Sequence, residues 1–335
     1  MKLKILNLLS DERMGGVKTS LNSLANSHLQ EKFEFAIAPF NRVKASIKNL
    51  KPDIIIVHDA CSWRILPNLL MLKLLKGKAK LIIQDHHYSE AFERLKVPNL
   101  QRFRLMLRLS HWCCDRLLLV SFAQSEWMAK YQLVRRKKVT VIQQSLNCDR
   151  FLSLRPKARG NLPVFAAYGR FNEQKGFDIL LQAIQLIPHV NFRLLIAGYG
   201  EDETSLQQLA QGLAQIQFVG KVDDVPAFLE QSDVVIIPSR WEPWGNVCLE
   251  AKAAHKPVIV SAVDGLIEQV RGIGCGICVL PNDPQILAQA IAQFCQEVNA
   301  ESLSSWGKEA RESVRNAWEE HLNAWEDLLC QLLAK

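Results

Sequence analysis

The chain has 335 residues, of which 48% are hydrophobic and 22% are charged, which is typical of a soluble globular protein and long enough for two domains. We expect no signal peptide, because the first apolar stretch is followed at once by charged residues 11–13. No apolar run approaches the roughly 20 residues that span a bilayer. Nine cysteines without framework spacing predict reduced thiols, and the Cys275–Cys278 pair lacks the second pair that a zinc site needs.

Positive charge is concentrated in the first half of the chain. Residues 1–150 contain 26 Lys and Arg against 12 Asp and Glu, a net charge of +14, whereas residues 151–335 contain 15 against 22, a net charge of −7. A split of this size suggests different partners for the two halves. The basic half either faces an anionic membrane surface or a phosphate-bearing substrate, or it only aids solubility.

Short apolar, β-branched segments alternate with helical patterns along the whole chain. The predicted strands are, in order, 4–9, 33–38, 53–59, 80–85, 116–121 and 139–142, and then 163–169, 192–198, 216–220, 233–239, 256–261 and 276–280. Apolar strands with helices between them are typical of parallel sheets covered on both faces. The sequence therefore predicts an α/β protein with two doubly wound, Rossmann-like domains: 1–152, a linker at 153–163, and 164–298. Helices at 299–335 are expected to pack back toward the N-terminal domain.

A pair of basic residues follows the first strand of the second domain. Arg170 ends this apolar segment, and Lys175 and Gly176 precede a helical pattern. In open parallel sheets, ligands bind at the carboxyl ends of the strands. Two cations there, beside a glycine that lets the backbone approach closely, suit a diphosphate. A solvated polar turn is the alternative interpretation.

Two glutamates follow the strand predicted at 233–239. Glu242 lies in the loop, and Glu250 comes eight residues later, inside the next helix. Free N–H groups of Gly245, Asn246 and Val247, at the start of this helix, would seat a sugar hydroxyl or a phosphate. A carboxylate at Glu250 can accept two hydrogen bonds from a ribose diol. The alternative is one acid favoured by the helix dipole and one ordinary surface acid.

Two further strand ends carry weaker signals. Gly198 ends the strand predicted at 192–198, where a turn into a helix often needs glycine in any case. Lys221 and Val222 follow the strand at 216–220 and could flank a nucleobase. Asp223 and Asp224, which come next, are expected to cap the following helix.

Taken together, these segments resemble the family 4 glycosyltransferases, which have the two-domain GT-B fold. The matching stretches of the second half are, in order, GRFNEQKGFDILLQAI, LLIAGYGED, FVGKVDDVPAFLEQSDVVIIPS, EPWGNVCLEAKAAHKPVIVS and VDGLIEQV. In the first half, MGGVKTSLNSLAN resembles the family's glycine loop, and CCDRLLLVSFAQSEWMAK and KVTVIQQSLNCDRF resemble its closing segments. The resemblance spans essentially the whole chain and is most specific in the second half.

The resemblance implies a role for each residue at the strand ends of the second domain. Arg170 and Lys175 would hold the diphosphate of a nucleotide-sugar donor and stabilise the leaving charge. Glu250 would bind the nucleotide ribose. Glu242 would contact the donor sugar, beside the backbone amides of residues 245–247. Cations placed where negative charge develops on the departing diphosphate favour transfer of the sugar.

The first domain would supply the remaining contacts. By the resemblance, Gly15 and Gly16 bring backbone N–H groups to the cleft, and His86 lies near the reacting sugar carbon. The adjacent His87 is the alternative to His86, and only the alignment with the family separates them. His58, which also ends a strand, either lines the cleft or is a core histidine satisfied by a neighbour.

The resemblance also implies a mechanism without a cofactor. The family retains the anomeric configuration, with the leaving phosphate oxygen taking the acceptor's proton. It needs no metal ion, and the chain has no Asp-x-Asp that would hold one. One departure concerns the loop after VDG, where the family often has a second glycine and this chain has Leu266. Contacts from that loop, including Glu268, are therefore not carried over.

The helical segment 99–116 is the most telling stretch of the first half. Two sets of side chains recur on it at helical spacing: the basic set Arg104, Arg108 and His111, and the apolar set Leu105, Leu109 and Trp112. A further basic run occupies 135–138. Such a surface helix could rest on anionic lipid headgroups. The alternative is an ordinary amphipathic helix that packs on its sheet.

The sequence as a whole predicts a retaining glycosyltransferase that moves a sugar from a nucleotide diphosphate to a hydroxyl acceptor. We expect it in the cytoplasm, at the inner face of the membrane, with a polysaccharide or lipid-linked acceptor and with no nucleic-acid partner. A non-catalytic relative that binds nucleotide sugars or glycans is one alternative, and a nucleotide-sugar epimerase of the same fold is another. A nicotinamide oxidoreductase is disfavoured, because the glycines are too few for its fingerprint.

Overall fold

The computed structural model describes residues 2–10, 16–155, 160 and 162–334. The first half of the chain forms a parallel sheet of six strands, in the order β2-β1-β3-β4-β5-β6. Its strands are β1 (Leu3–Leu8), β2 (Phe33–Ala38), β3 (Ile54–Val57), β4 (Lys80–Asp85), β5 (Arg116–Leu119) and β6 (Val139–Val141). The helices along this half are α1 (Gly16–Ala25), α2 (Val43–Leu50), α3 (Leu66–Leu75), α4 (Glu90–Lys96), α5 (Leu100–Cys113) and α6 (Phe122–Lys130).

The second half forms another parallel sheet, in the order β12-β11-β10-β7-β8-β9. After the short helix α7 (Asp149–Leu152), its strands are β7 (Val164–Arg170), β8 (Arg193–Tyr199), β9 (Ile216–Gly220), β10 (Val234–Ile237), β11 (Val258–Ser261) and β12 (Gly276–Val279). Helices α8 (Phe177–Gln185), α9 (Glu203–Leu209), α10 (Val225–Glu230), α11 (Asn246–Ala253) and α12 (Asp264–Val270) alternate with these strands. The chain ends with α13 (Pro284–Glu297), α14 (Ala300–Glu312) and α15 (Ala317–Leu333).

The prediction of two doubly wound parallel sheets is confirmed, with a strand at each of the twelve predicted places. The apolar runs are strands because both faces of each sheet are covered. Side chains on one face of the first sheet join a core with α3, α5 and α6, and those on the other face join a core with α15. The second sheet has a core with α8 and α13 on one face. Continuous apolar strands are stable only in such a setting.

The chain divides into two compact units whose boundaries differ from the expected ones. One unit contains residues 1–147 and 318–335, and the other contains residues 148–317. The first half therefore ends at Asn147, ahead of the expected linker. Of the C-terminal helices expected to pack toward the N-terminal domain, α15 belongs to the first unit, where Trp325 and Leu329 are buried. Helix α14 belongs to the second unit and packs on α11.

Each of the nine cysteines is a free thiol. Cys275 is buried and Cys278 is half-buried, without a disulfide between them. Within the described part of the chain, no three histidine, cysteine or carboxylate side chains are grouped so as to hold a metal ion. No described helix is both long and apolar enough to span a bilayer.

Candidate functional site

The loop after β7 carries the first two predicted ligands of the second unit. β7 ends at Arg170, and a turn of 3-10 helix at Glu173–Lys175 precedes α8. Gly176 joins the turn to α8 with φ 64°, and a Cβ atom there would lie 2.1 Å from the carbonyl oxygen of Pro238. The glycine is therefore required by the close approach of the loop after β10, rather than by a ligand as the sequence suggested.

Lys175, which the resemblance assigns to the diphosphate, and Glu242, which it assigns to the donor sugar, form an ion pair with each other. The Lys175 ammonium group contacts the Oε2 atom of Glu242, and both side chains are largely buried. The Ser239 hydroxyl donates to the same Oε2 at 3.3 Å. The stem of Lys175 lies over Gly169, about 3.8 Å from where a Cβ atom would stand. The pair thus fixes the ammonium group beside the carboxyl end of β7.

The Glu242 backbone is held by the start of α12. Its N–H group donates to Oδ2 of Asp264 at 3.0 Å, and its carbonyl oxygen accepts from the Gly265 N–H at 3.1 Å. Asp264 has a positive φ of 39°, which is uncommon for a residue other than glycine. Asp264 was not predicted from the sequence as a site residue, although it lies in the matching stretch VDGLIEQV. The sequence feature that could have identified Asp264 is an acidic residue shortly after a predicted strand.

The loops after β7 and β10 are also joined to each other. The Arg240 guanidinium donates to both carboxylate oxygens of Asp178, at 2.7 and 2.6 Å. Its backbone N–H donates to the carbonyl oxygen of Gln174 at 2.8 Å, and the Gln174 amide donates to Trp241. Bidentate arginine–carboxylate contacts fix geometry as well as charge. The segments that carry Lys175 and Glu242 are therefore preorganised relative to each other.

Glu250 lies on α11 and is bonded to a strand residue that the sequence did not single out. The Tyr168 hydroxyl, near the end of β7, donates to Oε2 of Glu250 at 2.8 Å. Burial raises the pKa of Glu250 to about 7, although the Tyr168 hydrogen bond and the charge of Lys175 act in the opposite direction. The Glu250 carboxyl group therefore titrates near neutral pH, and shifted pKa values of this kind are common at ligand-binding sites.

The first turn of α11, where the sequence predicts backbone donors, begins at a glycine packed against Leu266. Gly245 caps the helix with φ 98°, and a Cβ atom there would lie 2.6 Å from Cδ2 of Leu266. Asn246 and Val247 follow as the first residues of the helix. Leu266, which replaces a glycine common in the family, is buried against this turn. The close packing of Leu266 therefore requires glycine at position 245.

The remaining predicted residues of the second unit lie on neighbouring strand ends. Arg170 is exposed, and its side chain has no hydrogen-bond or ion-pair partner among the described residues. Gly198 faces Gly169 across the β7–β8 pair, and a Cβ atom there would lie 2.0 Å from the Gly169 carbonyl oxygen. Gly198 is thus required by strand packing. Lys221 is exposed and pairs with Asp223 at 2.9 Å, beside the half-buried Val222.

Only one of the two aspartates expected to cap α10 does so. The carboxylate of Asp224 accepts from the Ala227 N–H at 3.2 Å and also binds Arg150 at 2.9 Å. Asp223 turns instead toward Lys221. The reason is positional, since Asp224 is the residue directly before the helix and only its carboxylate reaches the free N–H groups of the first turn.

The histidines of the first unit form a hydrogen-bonded chain at the carboxyl ends of β3 and β4. His58 Nδ1 lies 3.2 Å from His86 Nε2, and His58 Nε2 lies 3.0 Å from Oδ1 of Asn7. His86 Nδ1 lies 3.1 Å from Oε1 of Gln144. His58 is fully buried and both of its ring nitrogens are bonded. This matches the interpretation of His58 as a core histidine satisfied by its neighbours. Asn7 and Gln144 were not predicted from the sequence as site residues.

Burial keeps both members of this pair neutral at physiological pH. It lowers the pKa of His86 to about 3 and lowers that of His58 well below its usual range. The neighbouring His87 instead contacts the His58 carbonyl oxygen through Nε2, at 3.0 Å. Gly15 lies outside the described residues, and Gly16 is the first residue of α1. The first unit thus presents a neutral imidazole at His86, oriented by its neighbours.

An aromatic pocket of about 380 Å³ lies beside these histidines, between the loop after β3 and helices α4 and α5. Tyr88 and Phe103 line it with their ring centroids 5.1 Å apart, and Trp63 also lines it. The Tyr88 hydroxyl donates to the Cys61 carbonyl oxygen at 2.6 Å, so its polar end is satisfied. Two basic residues, Lys96 and Arg102, belong to the lining, which is otherwise mainly apolar.

Comparison with known proteins gives two family models that match successive parts of the chain. The model described as Glycosyl transferases group 1 matches residues 153–313, and that described as Glycosyltransferase Family 4 matches residues 19–150. LpsE, a lipopolysaccharide core biosynthesis glycosyltransferase of Rhizobium meliloti, is 34% identical over 166 residues, which cover 47% of this chain and 48% of LpsE. MJ1607, an uncharacterized glycosyltransferase of Methanocaldococcus jannaschii, is 37% identical over 145 residues, which cover 42% of this chain and 35% of MJ1607. The chain thus matches a third to a half of the length of these relatives.

Solved structures match over nearly the whole chain. Sucrose-phosphate synthase from Thermosynechococcus elongatus superimposes with a TM-score of 0.85 at 19% identity, covering 99% of this chain and 100% of the other. Anabaena HepE in complex with UDP-glucose superimposes with a TM-score of 0.76 at 17% identity, covering 98% and 100%. At these identities the likeness concerns the fold, which is GT-B. With its two halves matched in succession by the two family models, the chain belongs to the group 1 glycosyltransferases, within family 4.

Proposed function

We propose that the protein is a retaining glycosyltransferase that transfers a sugar from a nucleotide diphosphate to a hydroxyl acceptor. The observation that carries this proposal is the grouping of Lys175, Glu242 and Glu250 in the second unit, with the exposed Arg170 at the end of β7. Cations, a sugar-binding acid and a ribose-binding acid are the groups that such a donor requires. All four side chains lie on strand ends, or on helices that follow them, where open parallel sheets bind ligands.

Each group has a distinct task toward the donor. Arg170 and Lys175 neutralise the diphosphate, and the helix N-terminus at Gly245 adds N–H donors. Glu250 accepts hydrogen bonds from the ribose hydroxyls once its carboxyl group has ionised. Glu242 binds a hydroxyl of the donor sugar while the ion pair with Lys175 holds its carboxylate in place. Gly198, Lys221 and Val222 lie on adjacent strand ends, where the nucleobase would be bound.

The transfer step involves these groups, the donor and the hydroxyl of the acceptor. The bond between the anomeric carbon and the diphosphate oxygen breaks, and a bond to the acceptor oxygen forms on the same face of the sugar. The acceptor proton passes to the departing phosphate oxygen. Lys175 and Arg170 act where negative charge grows on the leaving group, which is the largest single contribution expected of a charged site.

The first unit would bind the acceptor. The neutral ring of His86 is held in a fixed orientation by His58 and Gln144, which bond both of its nitrogens. The aromatic pocket beside it, with Trp63 and Arg102 in its lining, suits an acceptor that has both an apolar part and an anionic group. LpsE acts in lipopolysaccharide core biosynthesis, which supports a cell-surface glycan or a lipid-linked acceptor for this chain. Such an acceptor would require the enzyme to work at the cytoplasmic face of a membrane.

HepE, bound to UDP-glucose in the structure compared above, makes a uridine nucleotide sugar the first donor to test. The experiment measures nucleoside diphosphate released from UDP, GDP and ADP sugars by the full chain, with and without glycolipid and oligosaccharide acceptors. We expect acceptor-dependent release that disappears in Glu250→Ala, and a product with retained anomeric configuration by NMR. Inversion at the anomeric carbon would refute the retaining mechanism. Conversion of the donor sugar without any acceptor would instead identify an epimerase.

A further inference from the structure

Helix α5 exposes two leucines and a tryptophan to solvent, whereas Arg104 and His111 face the protein. Leu105 is 48% exposed, Leu109 is 40% exposed and Trp112 is 54% exposed. On the neighbouring face, Arg104 pairs with Glu93 at 2.5 Å, and His111 is buried with Nδ1 on the Leu133 carbonyl oxygen. The alternative of an amphipathic helix packed on its sheet holds for α5, but Leu105, Leu109 and Trp112 do not belong to its packed face. The inward apolar contacts of α5 come from Met106 and Leu107 instead.

Helix α3, which packs on α5, extends this apolar surface. Leu70 is 43% exposed and Leu74 is 85% exposed. Between them in sequence, Lys73 lies with its ammonium group 3.5 Å from the centroid of the Trp112 ring. We refer to Leu70, Leu74, Leu105, Leu109 and Trp112 as the α3–α5 surface. Single exposed leucines need no explanation, but five large apolar side chains on two packed helices indicate a partner.

A basic groove of about 500 Å³ adjoins the α3–α5 surface at Trp112 and Lys73. Its cations are Lys73, Arg108, Arg135 and Lys138. Three of them donate to main-chain carbonyl oxygens: Lys73 to Trp112, Arg108 to Tyr131 and Gln132, and Lys138 to His111, Trp112 and Cys114. Because carbonyl groups carry no net charge, these hydrogen bonds do not neutralise the positive charges of the three side chains.

Carboxylates of the described residues do not offset the charge of this groove. None of the groove-lining residues is acidic, and segments 66–75, 100–113 and 131–138 contain no Asp or Glu. The nearest acid in sequence, Asp115, pairs with Lys76 at 2.9 Å. None of the four groove cations is within ion-pair distance of a carboxylate in the described part of the chain. The groove therefore attracts an anion from outside the molecule.

The groove and the candidate site of the first unit lie at opposite edges of the sheet. Trp112 and the segment 135–138 come shortly before β5 and β6, at the amino-terminal edge. His58 and His86 directly follow β3 and β4, at the carboxyl edge. Because all strands of this sheet are parallel, these edges are on opposite sides. An occupant of the groove therefore leaves the histidine edge free for a substrate.

We infer that the α3–α5 surface docks on an anionic lipid bilayer, with lipid phosphate groups in the basic groove and the leucines in the acyl boundary. Exposed leucines, a tryptophan and lysine or arginine on one surface are the features of interfacial helices. A second copy of the chain is a poor occupant, since a two-fold contact would bring two uncompensated basic grooves together. The bilayer satisfies both the apolar and the charged parts of the surface, and the inference does not depend on the proposed transferase activity.

Vesicle flotation of the full chain tests this inference. We expect binding to vesicles of equal parts phosphatidylcholine and phosphatidylglycerol, and little binding to phosphatidylcholine alone. Arg135→Gln should lower the partition coefficient about fivefold, the usual effect of one charge near such a surface. Leu105→Gln combined with Leu109→Gln should lower it about tenfold or more. Both leucines are exposed, so these changes leave the core intact, and retained thermal stability checks this.

Matched controls separate the surface from general properties of the protein. Lys44→Gln removes an exposed charge on α2, and Leu186→Gln and Leu280→Gln remove exposed leucines of the second unit; these variants should bind vesicles like the wild type. Equal binding by the Leu105/Leu109 variant would overturn the inference. Failure of the wild type to bind anionic vesicles would also overturn the inference. If, in addition, the wild type formed a dimer that the Leu105/Leu109 variant abolished, the occupant of the surface would be a second copy of the chain. Inorganic phosphate should compete only weakly, because it lacks the apolar contact.

Discussion

The ammonium group of Lys175 and the carboxylate of Glu242 form an ion pair that joins the loops after β7 and β10. Ser239 donates to the same carboxylate, and Asp264 accepts from the Glu242 backbone. Neither charge is fully solvated, so each depends on the other for stabilisation. A donor sugar and its diphosphate would meet both groups at positions that are already fixed, which reduces the reorganisation needed during transfer.

Replacement of Lys175 by alanine should lower kcat far more than it raises KM. The ammonium group stabilises charge that develops only as the diphosphate leaves, and removing one such group typically costs about 10²–10³-fold in rate. The variant also leaves the buried carboxylate of Glu242 without its partner, which should destabilise the fold by roughly 1–3 kcal/mol. Steady-state kinetics and urea unfolding measure the two effects.

Lys221→Ala is the matched control for this prediction. Lys221 also pairs with a carboxylate, Asp223, but both side chains are exposed, so its loss should change stability by no more than about 0.5 kcal/mol. The double variant Lys175→Ala, Glu242→Ala should recover part of the lost stability, because no unpaired charge remains. If Lys175→Ala were as stable and as active as the wild type, the ion pair would have neither role.

The stability of the protein should depend on pH through Glu250. Burial raises the pKa of this carboxyl group from 4.5 to about 7, so the folded state binds the proton more tightly than the unfolded state. This contribution is fully present below pH 4.5 and is lost as pH rises toward about 7. In Glu250→Gln the free energy of unfolding should decline less over this range. Urea unfolding at several pH values in this range measures the difference. An equal decline of the free energy of unfolding in the wild type and in Glu250→Gln would contradict the account.

Nucleotide binding should show the opposite pH dependence. An ionised Glu250 accepts hydrogen bonds from both ribose hydroxyls, so the affinity should rise as pH passes through about 7. Tyr168→Phe should move this midpoint upward, since the Tyr168 hydrogen bond lowers the pKa of Glu250. Calorimetric titration with a nucleoside diphosphate follows the midpoint. An unchanged midpoint in Tyr168→Phe would place the titrating group elsewhere.

The sequence predicted the fold more completely than it predicted the site. Alternation of apolar runs with helical patterns placed all twelve strands, because strands buried on both faces leave a strong local signal. The positions of Arg170, Lys175, Glu242 and Glu250 at strand ends followed from the same pattern. The Lys175–Glu242 pair did not, since 67 residues separate its members and no local period connects them. Tyr168 and Asn7 were missed for the same reason, whereas Asp264 had a local signal, an acid shortly after a strand.

The orientation of α5 shows a second limit. Its helical periodicity is clear, yet the apolar and basic faces are adjacent rather than opposite, and the sequence alone does not say which of them packs. The structure turns Arg104 and His111 inward because Glu93 and the Leu133 carbonyl oxygen provide partners there. These partners lie on α4 and on the segment after α6, and their proximity is a tertiary property.

The C-terminal helix should be essential for the stability of the first unit. Trp325 of α15 is buried in the core beneath β1 and β3, and its indole N–H donates to His321 at 3.1 Å. Trp325→Ala should cost about 3–5 kcal/mol. Trp112→Ala, at an exposed position, should cost less than about 1 kcal/mol and serves as the control. Urea unfolding compares the two, and equal losses would contradict the packing of α15 in this core.

The most direct test of the account is a thermal-shift titration of the full chain with UDP, GDP, ADP and UDP-glucose. A ligand that binds only the folded state stabilises it by about 2.7 kcal/mol at a hundredfold excess over Kd. We predict a clear rise in Tm with one nucleotide class, which is lost in Glu250→Ala and kept in the Leu105/Leu109 variant. No rise with any nucleotide, or an equal rise in Glu250→Ala, would contradict the assignment of the donor site to the second unit.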